Sequence, residues 1–212
     1  MTNGTMAGAA PTVMEAYRAG WEVLKRFALE LLAVSVVWGL LGAVSGYLSE
    51  SLFGLVYHVL VLGPVSLGGM YAFLRAARGE RPEVADLFVV FRTDYWQAVL
   101  ANVLVGAIVS IGFVLLVVPG IIATVRLAWV AYLVVEERKP ALEALRESWE
   151  RTRGHGWTLF GIGLLAIPLV LLGLVLLVVG VIPALMLLQL AMASYYAAVV
   201  PRPLFADLGP TR

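Results

Sequence analysis

VPGIIATVRLAWVAYLVVEERKPALEALRESWERTRGHGW, residues 118–157, holds in one passage the plan of the whole chain. The Pro119-Gly120 pair reads as a tight turn. An apolar segment follows as far as Val135, interrupted by one charge, Arg126. Glu136-Glu137-Arg138-Lys139 close it, and Pro140 suits the first turn of a further helix. That helix places Leu142, Leu145 and Trp149 on one face, and Glu147 and Arg151 at an i, i+4 ion-pair spacing. Trp157 then opens another apolar run.

Composition says where such a pattern belongs. Hydrophobic residues make up 61% of the 212-residue chain and charged residues 14%, and mean hydropathy is +0.93. A soluble domain carries about a quarter charged residues, so this chain has too few to cover a water-facing surface. It reads as an all-α integral membrane protein. A net charge of +1 argues against a nucleic-acid partner, which requires a concentrated basic face. There are 0 cysteines, which excludes disulfides and thiolate metal sites.

Outward from the opening stretch, apolar runs predict six transmembrane spans at 27–48, 52–74, 96–118, 121–135, 157–179 and 181–200, near the length of about 20 residues that a bilayer requires. Pro64 interrupts the second, which is expected to remain one kinked helix. The fifth is expected to kink at Pro168. Gly42 and Gly46 form a small-xxx-small pair that permits helix contact. The sixth, rich in Ala and Ser, suits a packed central position. Residues 1–10 read as a disordered tail, and 11–208 as a single membrane domain.

Amphipathic helices are expected before the first, third and fifth spans. The first carries Val13, Tyr17, Trp21 and Leu24 on one face; the second carries Val84, Leu87, Phe88 and Phe91 at i, i+3, i+4, i+7. RPEVADLF at Arg81, KPALEAL at Lys139 and RPLFADL at Arg202 align, each after an apolar helix that begins near Pro64, Pro119 or Pro183. The leading segments end close to Trp21, Trp96 and Trp157. The chain therefore reads as three helical hairpins, an internal repeat over about 11–80, 81–138 and 139–205.

Of the 15 Lys and Arg residues, all but Arg126 lie in the N-terminal segment, the two long interspan segments and the C-terminal tail. The positive-inside rule then puts both termini and the amphipathic helices in the cytoplasm. Arg146, Trp149, Arg151, Arg153 and Trp157 are expected at that membrane surface, the arginines near anionic headgroups.

Catalytic constellations are missing: there is no H-E-x-x-H, no G-x-S-x-G and no phosphate-binding P-loop. Glu136-Glu137 are similar to the paired glutamates of some intramembrane proteases, but Ala141 stands where the arginine would follow and the partner histidines are lacking. No enzyme, metal or cofactor is expected. Arg126 is the notable charge. Six residues past Gly120, it should lie about 9 Å inside the outer boundary, where an arginine faces protein or water. His58, Ser110 and Gln189 count to a similar depth, so the four are candidates to line a pocket open to the outer face; the competing reading is a structural Arg126 that snorkels to the outer headgroups or bonds only backbone carbonyls.

PGII, Arg126, the acidic exit and ALEALRESWERTRGHGW together resemble the membrane domain attached to some bacterial glycerophosphoryl diester phosphodiesterases, and related stand-alone polytopic proteins. The likeness runs from about Gly63 to Pro183. Pro119, Gly120, Arg126, Ala144, Leu145, Ser148, Thr152, Gly154 and Trp157 fit the pattern. The soluble catalytic barrel of those enzymes has no counterpart here, so the resemblance implies a prokaryotic cytoplasmic-membrane module and no hydrolase activity. Two functions are expected to compete. One is a non-catalytic scaffold or lipid-interacting module, with membrane lipids and a protein partner or second copy as its contacts. The other is a small transporter of an anionic or amphipathic solute at Arg126.

Overall fold

The computed structural model describes residues 10–48, 50–175 and 180–201. Six helices are long and apolar enough to cross a membrane, and among the described residues there is no strand. They are α2 (Ala28–Tyr47), the continuous run α3 (Leu52–Tyr57), π turn (His58–Leu62) and α4 (Gly63–Ala77), then α5 (Tyr95–Leu115), the paired α6 (Val117–Arg126) and α7 (Val130–Val135), α9 (Gly156–Val175) and α10 (Val181–Val199). The chain is a multi-pass membrane protein. Three shorter helices join them: α1 (Val13–Arg26), a 3-10 helix (Val84–Arg92) and α8 (Ala141–Arg151).

Burial sorts the spans into an outer and an inner set. Within their most apolar windows α2, α5 and α9 are 17%, 22% and 22% buried, whereas α3–α4, α6–α7 and α10 reach 39%, 44% and 39%. Each outer span is followed in sequence by an inner one. α10 packs on α4 and α4 on α7, and the core between them holds Phe73, Leu74, Trp129, Leu190, Tyr195 and Tyr196. The small residues of α10 are what allow this: Ala191 and Ala193 are fully buried.

The second span is one helix, as expected, and the π turn shows how it accommodates proline. Pro64 has no N–H to give the carbonyl four residues back; that carbonyl, Leu60 O, accepts the Tyr95 hydroxyl at 2.8 Å. α9 likewise runs helical through Pro168.

Pro119, read as a turn, lies inside a helix. The third span ends at Leu115, Leu116 is extended, and α6 starts at Val117, so Pro119 and Gly120 belong to its first turn. Pro183 sits the same way in α10. Proline needs no donor in a first turn and its φ already suits a helix, so it stands three residues after the break, at Leu116 in one case and Gly180 in the other. Gly120 serves a close approach instead: a Cβ there would lie 2.5 Å from the Phe113 ring, and one on Gly112 would lie 2.9 Å from Gly120 Cα.

The short helices bury part of each expected face, Tyr17 and Leu24, Leu87, and Leu145, and turn its other large residues out. α1, closed by a capping box between Thr12 and Glu15, buries Ala16, Tyr17, Gly20 and Leu24 against α10 and α9, while Trp21 stays 50% exposed. Tyr17 donates to Ile162 O at 2.8 Å, and a Cβ on Gly20 would stand 3.1 Å from Ala191 N. α8 buries Ala141, Ala144, Leu145 and Ser148, leaving Leu142 69% exposed. In both, small residues beside Tyr17, Leu24 and Leu145 let the helix approach the bundle, while Trp21 and Leu142 are turned away. The segment after Pro82 is 3-10 rather than α, so its buried residues recur every third position, Leu87 and Val90, and Phe88 and Phe91 are exposed. A Cβ placed on Gly42 or Gly46 would meet no atom within 4 Å, so this pair mediates no helix contact among the described residues. The tail at 1–9, Ser49 and the third aligned copy at 202–208 lie outside the described residues.

Candidate functional site

The site lies at the break between α6 and α7. Helical bonding stops at Arg126 and resumes at Val130, which frees backbone groups inside an apolar span. α8 supplies the missing partners. Ser148 Oγ donates to Arg126 O at 2.8 Å and accepts the Trp129 N–H at 3.3 Å; Thr152 Oγ1 lies 3.3 Å from the same carbonyl. Both side chains are fully buried. Broken helices persist in membranes where protein groups satisfy the backbone this way.

The Arg126 side chain leaves the break toward α9. Its guanidinium carbon is 6.0 Å from the centre of the Trp149 ring, at the edge of cation–π range. Its Nη1 is enclosed and has no hydrogen-bond partner. Arg126 joins none of the ion pairs formed among the described residues. It heads a groove of about 620 Å³ lined by Ile121, Ile122 and Val125 of α6 and Gly156, Trp157 and Phe160 of α9. The groove opens on the outside of the bundle, where Ile122 is 47% and Trp157 86% exposed.

The other three residues expected with Arg126 are elsewhere. His58 sits in the π turn, its Nδ1 3.3 Å from Ser45 Oγ, beside a cavity of about 400 Å³ shared with Ser66, Asn102 and Thr124. Gln189 lines a third cleft with Ser35 and Trp38. Ser110 is exposed on α5. Counting along a span fixes a residue's height, while the direction it faces depends on packing. Even the height of Arg126 changes: nine residues past Val117 it is about 13 Å from that end, and bonded to α8.

A clasp of charges joins the ends of α4, α7, α8 and α10. Arg78 Nη2 donates to Glu136 Oε2 at 2.9 Å. Glu137 receives Arg151 through both oxygens at 2.6 and 3.1 Å and the Tyr196 hydroxyl at 3.3 Å, with Lys139 Nζ 3.3 Å away. Glu147 completes it by bonding Lys139 and by pairing with Arg151 at 2.5 Å, the i, i+4 pair read from sequence. Burial lifts the Glu136 carboxyl above its ordinary range, with Arg78 opposing. Close by, Arg75 holds Asp86 at 2.6 Å and Arg81 holds Glu30 at 3.0 Å. So Arg151, expected at the lipid surface, is consumed internally, whereas Arg146 and Arg153 are exposed. The acidic exit Glu136-Glu137 was the sequence signal for this clasp; its partners were not readable because they come from four helices.

Beneath the break an aromatic nest gathers Trp129, His155, Tyr195 and Tyr196, with the Trp129 ring centroid 5.8 Å from that of His155 and 5.4 Å from that of Tyr196. Trp129 Nε1 and His155 Nδ1 are buried without a hydrogen-bond partner. Among the described residues no group of three or more His, Asp or Glu side chains gathers to hold a metal. Comparison with family models, curated proteins and solved structures finds no match.

Proposed function

We propose that the chain is a non-catalytic module of a prokaryotic cytoplasmic membrane that acts through contact with membrane lipids and with a protein partner or second copy. The observation that carries this reading is the direction of the Arg126 groove, which opens sideways from the bundle surface. The remaining buried charge supports it: Glu136, Glu137 and Arg78 are spent on ion pairs, in a clasp suited to holding helices in place. In this reading the three outer–inner span pairs are three repeated hairpins. The clasp side, which gathers the Lys and Arg residues, faces the cytoplasm with both termini. Trp21, Trp96 and Trp157, 50%, 72% and 86% exposed, suit anchors at the headgroup level. Lipid analysis of the protein purified in mild detergent tests the reading: anionic lipids should be enriched over their share of the source membrane, and an unselective profile refutes it. Because the chain has 0 cysteines, single cysteines at Arg146 and Glu50 can be labelled from opposite sides to test the orientation.

One observation favours a second reading, a small permease. The π turn and the α6–α7 break flank the same cavity, mostly apolar but carrying His58, Ser66, Asn102 and Thr124, and interrupted helices beside a substrate cavity are a transporter feature. Uptake of small polar solutes into vesicles, lost in His58→Ala with Asn102→Ala, would establish it; no uptake beyond empty vesicles rejects it.

A further inference from the structure

We infer that the groove between α6 and α9 binds a single anionic phospholipid, its phosphate at Arg126 and an acyl chain along Ile122 and Phe160. This rests on the lipid-contact reading above and names its ligand and site. The groove is apolar along its length and charged at one end, the division of an anionic lipid. At that end the guanidinium charge is uncompensated: no carboxylate among the described residues pairs with it. A guanidinium offers several donors in a fixed fork that matches a phosphate.

The backbone around it favours an anion as well. α9 begins at Gly156, so the positive end of a long helix dipole adjoins the guanidinium. Gly154 lines the same end with φ +85°, and a Cβ placed on it would meet no atom within 4 Å. That leaves room at the mouth for a headgroup. Exposed Arg153, adjacent in sequence, adds charge of the same sign. The source is a lipid rather than a soluble phosphate because the groove faces the outside of the bundle, with Trp157 at its rim 86% exposed.

Native mass spectrometry of the full chain in detergent, titrated with phosphatidylglycerol or phosphatidylcholine of the same chains, tests the assignment. Wild type should retain one phosphatidylglycerol in preference to phosphatidylcholine. Arg126→Gln should weaken that adduct about tenfold or more, the loss expected for a charge-assisted hydrogen bond, while Arg92→Gln, remote on the 3-10 helix, leaves it unchanged. Ile122→Trp keeps the charge and fills the groove, and it should lose the adduct too without lowering the melting temperature. An adduct equally strong in Arg126→Gln, or one that survives Ile122→Trp, overturns the site while leaving lipid selectivity intact. Displacement by glycerol 3-phosphate at equal concentration overturns it in favour of a soluble anion. Absence of any preference in wild type refutes the lipid-contact reading itself.

Discussion

Arg78 and Glu136 face each other across the ends of α4 and α7, Nε 2.8 Å from Oε1, with side chains only 10% and 6% exposed. The Nε contact is off-line for a hydrogen bond, so Nη2 makes the directed one. A pair this enclosed costs desolvation to form and is expensive to break singly.

Arg78→Met should therefore lower stability by about 3–5 kcal/mol, and Arg78→Met with Glu136→Leu should recover most of it. The pH dependence has a definite sign. Burial, then the Glu137 charge, raise the Glu136 carboxyl above its ordinary 4.5, against the pull of Arg78. The folded state thus holds this proton more tightly than the unfolded state, and its contribution to stability falls as pH rises from about 4.5 through the raised value. Removing Arg78 widens that window, so the single variant should regain melting temperature on mild acidification from neutral pH, more than wild type does.

Glu147 should titrate the other way. Burial pushes it up, but the Lys139 hydrogen bond and the Arg151 charge prevail and hold it below 4.5. Its stabilisation is present above that value and is lost as pH falls through the lowered one. Glu147→Gln should cost up to about 1 kcal/mol at neutral pH and flatten the acid limb of a melting-temperature profile.

Gly68→Ala would push a methyl into backbone, since its Cβ would lie 2.6 Å from Leu87 C and 2.7 Å from Asp86 O. The 3-10 helix must shift, straining the Arg75–Asp86 pair. A loss of about 1–3 kcal/mol is expected, against little change for Gly106→Ala, whose Cβ would meet no atom within 4 Å. Chemical denaturation in detergent compares the two.

Tyr95→Phe isolates one hydrogen bond. The ring keeps its stacking on Phe91, centroids 5.3 Å apart, while Leu60 O loses the hydroxyl that answers for Pro64. About 1 kcal/mol should be lost, measured as a fall in melting temperature.

Ser148→Ala removes both the donor to Arg126 O and the acceptor of the Trp129 N–H. The Trp129 N–H loses its acceptor and Arg126 O keeps only the longer Thr152 contact, for about 1–2 kcal/mol. Hydrogen exchange should quicken at Trp129 more than at Leu133, whose N–H is bonded to Trp129 O at 3.1 Å.

The sequence by itself determined the class, the number of spans and most of their ends. Hydropathy over a bilayer's thickness is a local property, and 14% charge leaves no soluble alternative. It also marked Arg126, because a charge in an apolar run is legible without a fold. Only the tertiary structure decided what surrounds that arginine. Proline and glycine at 119–120 fit a turn or a helix start equally well, and the closeness of Gly112 to Gly120 selected the second. Periodicity found Tyr17, Leu24 and Leu145, but the exposure of Trp21 and Leu142 was settled by small residues, Ala16 and Gly20 on α1 and Ala141 and Ala144 on α8, packing on neighbours it does not see. Arg126 moved for the same reason: its height was counted from a turn that lies elsewhere, and its direction came from α8 and α9. In the opening stretch, apolar length fixes that the chain crosses the membrane, and contacts between distant segments fix which way each residue looks.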